Sequence, residues 1–250
     1  MKSRLAPLLL GVCLALPAAT QAAGGTLCER TDKPLIWADC GAGRVEILLL
    51  PEDAGLTPEG SLDVTGGYTA TDRRESGKPK PVGLFIRRGL VVSREYVRAD
   101  GVLLVDAAGA PRLLHRRRAS FAGVGYDLED PDQRTRLLAA VVEAGGSLIQ
   151  SHLLIVDGVV DAHPQDGAPR FRRRILFQSK SGEFGLWDSS PRALTLAEAA
   201  EELAATFGPQ MAINLDMGSY DFCREGTKSC GLLSYAETGK LSNILRFSRD

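Results

Sequence analysis

The sequence predicts an α+β protein: a mixed, mostly antiparallel sheet with two main helices in a single domain. Three observations carry that expectation. Short apolar runs recur along the chain, each bounded by Gly, Pro or Asp. Only two windows combine helical periodicity with start and stop signals. Several pairs of apolar runs are joined by two to five turn residues, the mark of hairpins. With 44% hydrophobic and 24% charged residues, the 250-residue chain can bury a sizeable core.

Residues 1–22 are expected to lie outside that core. Lys2 and Arg4 precede an apolar stretch from Leu5 to Leu16, and small residues end near Ala22. That is the layout of a cleaved secretory signal, and it is shorter than the roughly 20 apolar residues of a membrane span. The domain is then 23–250, with no membrane span and a periplasmic or secreted location. Removing Lys2 and Arg4 shifts the formal charge from −1 to −3, a balance that does not point to nucleic acid. The basic runs "HRRR" at 115–118 and "RFRRR" at 170–174 read as solvated faces.

Taken in order, "LIWADCGAGRVEILLL" at 35–50 reads as strands around a glycine turn, followed by a loop at 51–58. A short strand ends near Val64 and breaks at Gly66-Gly67. "VGLFIRRGLVVS" predicts a hairpin around Arg87-Arg88-Gly89, and "DGVLLVDAAGAPRLLHRRRASF" repeats the habit. Asp130, Pro131 and Gln133 then signal a capped helix whose apolar face holds Leu137, Leu138, Val141 and Val142, stopped by Gly145-Gly146. "RFRRRILFQSKSGEFGLWDS" predicts a hairpin turning near Ser181-Gly182. Thr195 and Glu198 form a capping box for a second helix that ends at Gly208-Pro209. Each helix leads into an apolar strand, "GSLIQSHLLIVDG" and "MAINLDM".

Four cysteines follow the signal: Cys28, Cys40, Cys223 and Cys230. An even number in an exported chain suggests disulfides. Of the three pairings, Cys28–Cys40 with Cys223–Cys230 is preferred, because each closes a short loop. A four-cysteine metal site is the weaker alternative on spacing. His115, His152 and His163 lack metal-ligand spacing and read as surface or structural residues. No Gly-x-Ser-x-Gly nucleophile motif is present.

Asp216 ends an apolar strand, so its carboxylate needs donors or a cation nearby. Gly218 would allow close backbone approach, and Ser219 with neighbouring amides could hold an anion. The alternative is that Asp216 caps a turn and meets a structural Arg. Arg173 alternates with Ile175 and Phe177, so it shares their side of the sheet, where it needs an acid or phosphate; the alternative is an exposed strand end. Gln150 and Asn243 are amides inside apolar runs, either core amides or sugar contacts. Asn214 is expected to point to the face opposite Asp216.

An ordered set of stretches resembles the phosphodiester glycosidase domain family. It comprises "VTGGYTA" at 64–70, "KPVGLFI" at 80–86, "LIQSHLLIVDG" at 148–158, "RRRILF" at 172–177, "LTLAEAAEELA" at 194–204, "INLDMGSY" at 213–220 and "LSNILRF" at 241–247. The chain departs from the family pattern at Thr65, where the family has Asn, at Arg174, where it has Thr, and in the shortened Asp216–Ser219 turn. The resemblance implies an exported hydrolase acting on a sugar 1-phosphodiester, with Asp216 and Arg173 as catalytic residues. It implies a substrate pocket of Gly66, Gly67, Tyr68, Gln150, Arg174, Asn214, Gly218, Ser219 and Asn243. The partner is a phosphorylated saccharide or envelope glycan. No cofactor is expected, although a divalent cation is conceivable at Asp216. The departures favour a second reading, a non-catalytic binding protein for glycans or phosphosugars.

Overall fold

Residues 35–38, 43–53, 55–71, 77–217 and 220–249 are described by the structure, a computed structural model. Three antiparallel sheets carry most of the chain. Sheet I has six strands in the spatial order Leu35–Ala38, Phe184–Asp188, Arg174–Gln178, Met211–Asn214, Leu153–Val156 and Val159–Val160. Sheet II has the order Leu90–Arg94, Leu84–Arg87, Ser147–Ser151, Gly101–Val105 and Pro111–His115. Sheet III has the order Lys228–Ser229, Cys223–Glu225, Leu62–Thr65, Asn243–Arg249 and Gly43–Leu49. The helices are α1, Pro131–Glu143, and α2, Leu196–Phe207.

The strands read as apolar runs because most are covered on both faces. One core draws on all three sheets: Leu176 and Ile213 from sheet I, Phe85 and Ile149 from sheet II, Val64 and Phe247 from sheet III. The outer face of sheet I, at Ile175, Phe177 and Trp187, is covered by Ala199, Ala200, Leu203 and Phe207 of α2. Leu137, Leu138 and Val141 of α1 cover Leu84, Leu104 and Leu148 of sheet II. Phe222, Leu233 and Leu241 cover Leu48 and Ile244 of sheet III. Each fully buried large side chain stabilises the fold by about 1.5–3 kcal/mol.

Local chemistry accounts for the element ends. Thr195 Oγ accepts from the Glu198 amide while Glu198 returns to the Thr195 amide, and Gly208 closes α2 at φ 54°. Asp130 caps α1 by accepting from Asp132 and Gln133. The expected reciprocal bond from Gln133 is replaced. Its Oε1 accepts from the Asp127 amide at 3.0 Å, one turn outside the helix. The hairpin at 84–94 turns through Arg88 and Gly89, both at positive φ, as a two-residue primed turn requires.

The expected two helices and mostly antiparallel pairing are present, while the α+β balance and the single sheet are corrected. Two helices of 13 and 12 residues stand against twenty strands among the described residues, so the balance lies well toward β. Moreover, the strands form several sheets rather than one mixed sheet, and their paired strands all run antiparallel; the isolated Phe222–Leu233 bridge is parallel. The reason is visible at 147–156. The apolar run leaves sheet II at Ser151, turns at exposed His152 and enters sheet I at Leu153.

Cys223 and Cys230 are bonded, with their Cα atoms 4.8 Å apart. Cys28, Cys40 and the signal segment lie outside the described residues. Among the described residues no helix is long and apolar enough to cross a membrane.

Candidate functional site

The ends of the three sheets converge on one point. Strand Leu62–Thr65 of sheet III delivers Gly66, Gly67 and Tyr68; strand Met211–Asn214 of sheet I leads to Asp216; Ser151 and His152 sit at the crossing from sheet II to sheet I. The two glycines are sterically required. A Cβ on Gly66 would lie 2.2 Å from Asn243 Oδ1, and one on Gly67 would lie 2.4 Å from Ile149 Cγ2. The turn is fastened directly to Asp216. The Asp216 amide donates to Gly66 O at 2.8 Å, and the Thr69 amide donates to Asp216 Oδ2 at 3.0 Å.

Asp216 is only 8% exposed. Burial pushes its carboxyl up to about 6, and the amides of Thr69 and Met217 offset only part of that. Other buried carboxylates are paired: Asp63 with Arg246, and Asp188 and Asp221 with Arg174. Among the described residues no cation pairs with Asp216. A turn cap neutralised by a structural arginine is therefore not what surrounds Asp216 among the described residues.

Tyr68 stands between Asp216 and Arg173 in its electrostatics. Burial chiefly raises its pKa. The Asn214 amide opposes this, Asp216's charge adds to the rise, and Arg173 and Ser151 lower it. The hydroxyl accepts from Asn214 Nδ2 at 2.7 Å. Asn214 Oδ1 is buried without a partner among the described residues, an acceptor available within the site. The expectation that Asn214 faces away from Asp216 is thus corrected. Residues two apart share a face of an extended chain, and both groups act on the Tyr68 hydroxyl.

Arg173 and Arg174 separate sharply. Arg173 lies, as expected, on the α2 side. Its Nε donates to Leu194 O at 2.8 Å, one Nη donates to Pro169 O at 2.9 Å, and the guanidinium lies 5.3 Å from the centre of the Phe171 ring. Burial lowers its pKa, Tyr68 raises it slightly, and no carboxylate among the described residues pairs with it. Arg174, 1% exposed, is a structural residue. It donates to Asp188 at 2.7 and 3.1 Å, to Asp221 at 3.1 Å and to Phe222 O at 2.8 Å. Its expected part in phosphate binding is corrected: both carboxylates already hold it.

Gln150 and Asn243 are corrected on the same ground. Gln150, fully buried, accepts from the Leu84 and Val97 amides and donates to Val97 O and Ala99 O, which exhausts its donors. Asn243 accepts from the Gly67 amide at 2.7 Å and donates to Gly67 O and Ser242 Oγ. Asn243 thus fastens the glycine turn, and Gln150 ties sheet II to the 97–99 segment. Gly218 and Ser219 lie outside the described residues.

Sequence reasoning missed His152. Its ring meets Tyr68 edge-on at 5.9 Å, and its carbonyl accepts from the Asn214 amide at 2.9 Å. It lines, with Arg173, a cavity of about 410 Å³ between the strand Leu153–Val156 and the start of α2. A histidine at a strand junction has no signature in spacing. A larger cavity of about 740 Å³, between Lys78–Pro81 and Val92–Glu95, contains none of the expected site residues. Of the expected site residues, Arg173 lines the smaller one. Among the described residues no group of three or more His, Cys, Asp or Glu side chains is arranged to hold a metal ion.

No family model matches the chain, and no curated protein sequence does. Solved structures do. The catalytic domain of zebrafish N-acetylglucosamine-1-phosphodiester alpha-N-acetylglucosaminidase, auto-inhibited by its pro-peptide, is similar at a TM-score of 0.52 and 15% identity. The match covers 83% of this chain and 73% of that one. A hypothetical protein from Synechocystis is similar at 0.51 and 12% identity, over 84% of this chain and 57% of the other. The present chain thus spans less than two thirds of the Synechocystis protein. At these identities the likeness is one of fold.

Proposed function

We propose that the protein is an exported, periplasmic or secreted hydrolase that cleaves a sugar 1-phosphodiester at the bond from the anomeric carbon to phosphate oxygen. The observation that carries this reading is the buried Asp216, with no cation paired to it among the described residues, and Arg173, with no carboxylate paired to it among them, both acting on Tyr68. Cleavage at an anomeric carbon passes through an oxocarbenium-like transition state, which a nearby carboxylate stabilises. The departing phosphate is already a stable anion, so protonation of the leaving group is less needed than in ordinary glycosidases. Asp216 would stabilise the cation or take a proton from the attacking water; the water oxygen ends on the sugar, and a phosphomonoester leaves. Arg173 would hold the phosphate. Gly66, Gly67 and the Gly218-Ser219 turn would shape the pocket, and Tyr68 and Asn214 would contact the sugar.

A second reading, non-catalytic binding of a phosphosugar or envelope glycan, is favoured by Thr65. Its hydroxyl is engaged with the backbone of Tyr220 and Phe222. It therefore braces the C-terminal segment and faces no ligand.

The two are separated by incubating the oxidised mature protein with a panel of sugar 1-phosphodiesters and measuring released reducing sugar. The hydrolase reading expects release by the parent, rising as pH passes through about 6, and a loss of 100-fold or more in Asp216→Asn, roughly the contribution of a positioned acid or base. Binding without release would establish the second reading. Full turnover by Asp216→Asn would remove Asp216 from the mechanism.

A further inference from the structure

Arg87, Arg174 and Arg246 each meet an aspartate, whereas buried Arg173 meets only carbonyls and the Phe171 ring. Those contacts use Nε and one Nη. The other, Nη1, has no acceptor among the described residues, and Arg173 lines the cavity of about 410 Å³. A guanidinium only 8% exposed, with no carboxylate partner among the described residues, is a strong pull on an anion. Thr195, Leu196 and Ala197, the start of α2, also line the cavity. First-turn amides of a helix have no intrahelical acceptor and carry the positive end of its dipole. Two carboxylates also line the cavity. Asp100 is committed to the Leu153 amide at 2.8 Å, and Asp161 is exposed. Glu198 is turned to the Thr195 amide and Arg170.

We propose that this cavity is an oxyanion subsite, taking the phosphate of a phosphorylated saccharide between Arg173 Nη1 and the first-turn amides of α2. His152 forms the wall shared with Tyr68. The identity of the ligand rests on the phosphodiester reading; the subsite adds the side on which the phosphate lies. Phosphate lies on the α2 side, and the sugar attached to it extends past His152 toward Tyr68 and Asp216.

Leu196 provides a clean test. It is the first residue of α2, a position where proline is favoured. Thr195 before it is extended, at ψ 170°, as a residue preceding proline must be. Leu196→Pro therefore deletes one amide donor and keeps the helix, and Leu196→Ala shortens the same side chain but retains the donor. Inorganic phosphate, and a hexose 1-phosphate in a second arm, are titrated by calorimetry into the mature protein, these two variants and Arg173→Gln. Circular dichroism checks the fold of each.

The subsite predicts a dissociation constant for both ligands roughly tenfold higher in Leu196→Pro than in Leu196→Ala, the worth of one charge-assisted hydrogen bond. It predicts a loss of tenfold or more in Arg173→Gln relative to the parent. If Arg173→Gln does not fold, the Leu196 pair decides alone. Equal affinities in that pair, or a parent that binds neither ligand, overturn the subsite. The hydrolase reading fails separately. Phosphate binding that follows the Leu196 pair, with no turnover by the parent, keeps the subsite and removes the enzyme; turnover with equal affinities in the pair does the reverse.

Discussion

At the scale of single residues, the carboxylate of Asp216 sets function against stability. An ordinary aspartate releases its proton near 3.8, and in the fold Asp216 does so at about 6. Between these values the native state binds more protons than the unfolded state. Its stabilising contribution is thus complete below about pH 4 and is lost as pH rises through 6, amounting to about 3 kcal/mol. Asp216→Asn should remove this slope, since Asn can still accept from the Thr69 amide. The variant is expected to be up to about 3 kcal/mol more stable than the parent at pH 7 and similar to it near pH 4, measured by urea unfolding at both. Destabilisation at pH 7 would mean that the carboxylate has a cationic partner. Arg174 behaves oppositely. Arg174→Leu strands Asp188 and Asp221 in the interior and should cost about 3–5 kcal/mol, read as a fall in the urea midpoint; an unchanged midpoint would deny Arg174 its structural role. The sequence grouped Gly66, Gly67 and Asp216, which the structure joins through the Asp216 amide and Gly66 O, and put Arg173 on the side of Ile175 and Phe177, where it lies. It could not separate Arg174, held by Asp188 and Asp221, from Arg173, which has no carboxylate partner among the described residues, because that depends on which neighbour has a spare carboxylate. Gln150 and Asn243 were illegible for the same reason: an amide inside an apolar run looks the same whether its partners are protein or ligand.

Secondary-structure elements were legible where their signals are local. The α2 capping box, the Gly208 stop, the 84–94 hairpin and the Cys223–Cys230 pairing all depend on residues within a few positions of each other. The crossing at His152 was not, because an apolar run of constant character continues through it and only the partner strands differ. The disulfide closes the hairpin that begins at Cys223 on the edge of sheet III, next to Leu62–Thr65, which leads into the glycine turn. Linking residues seven apart removes unfolded-chain entropy worth about 2.5 kcal/mol. Cys230→Ser leaves buried Cys223 in the core and should lower stability by roughly that amount in thermal or urea unfolding. No change in the midpoint would mean that the hairpin is held by its ladder and packing alone.

Across the whole molecule, the site exists because three sheets dock on one core. Tyr68 comes from sheet III, Asp216 and Asn214 from sheet I, and His152 from the junction with sheet II, while Ile149 of sheet II lies against Gly67. Sheet docking and site formation are therefore one event. A sheet that opened alone would expose its half of the common core and carry away one wall of the site. Because each sheet contributes buried side chains that have no other partner surface, the sheets should unfold together despite the number of strands. Both tryptophans, Trp37 and Trp187, are in sheet I, Trp187 under α2 and Trp37 against Phe247 of sheet III, so their fluorescence follows sheet I and its docking on sheet III, whereas far-UV circular dichroism follows all three sheets. Urea transitions by the two probes should coincide, and Ile149→Ala should shift both midpoints equally, by a loss of about 2–5 kcal/mol. A fluorescence midpoint displaced from the dichroism midpoint would make sheet I a separate folding unit. The site would then be assembled by docking of preformed parts, and the dichroism transition alone would follow Ile149→Ala.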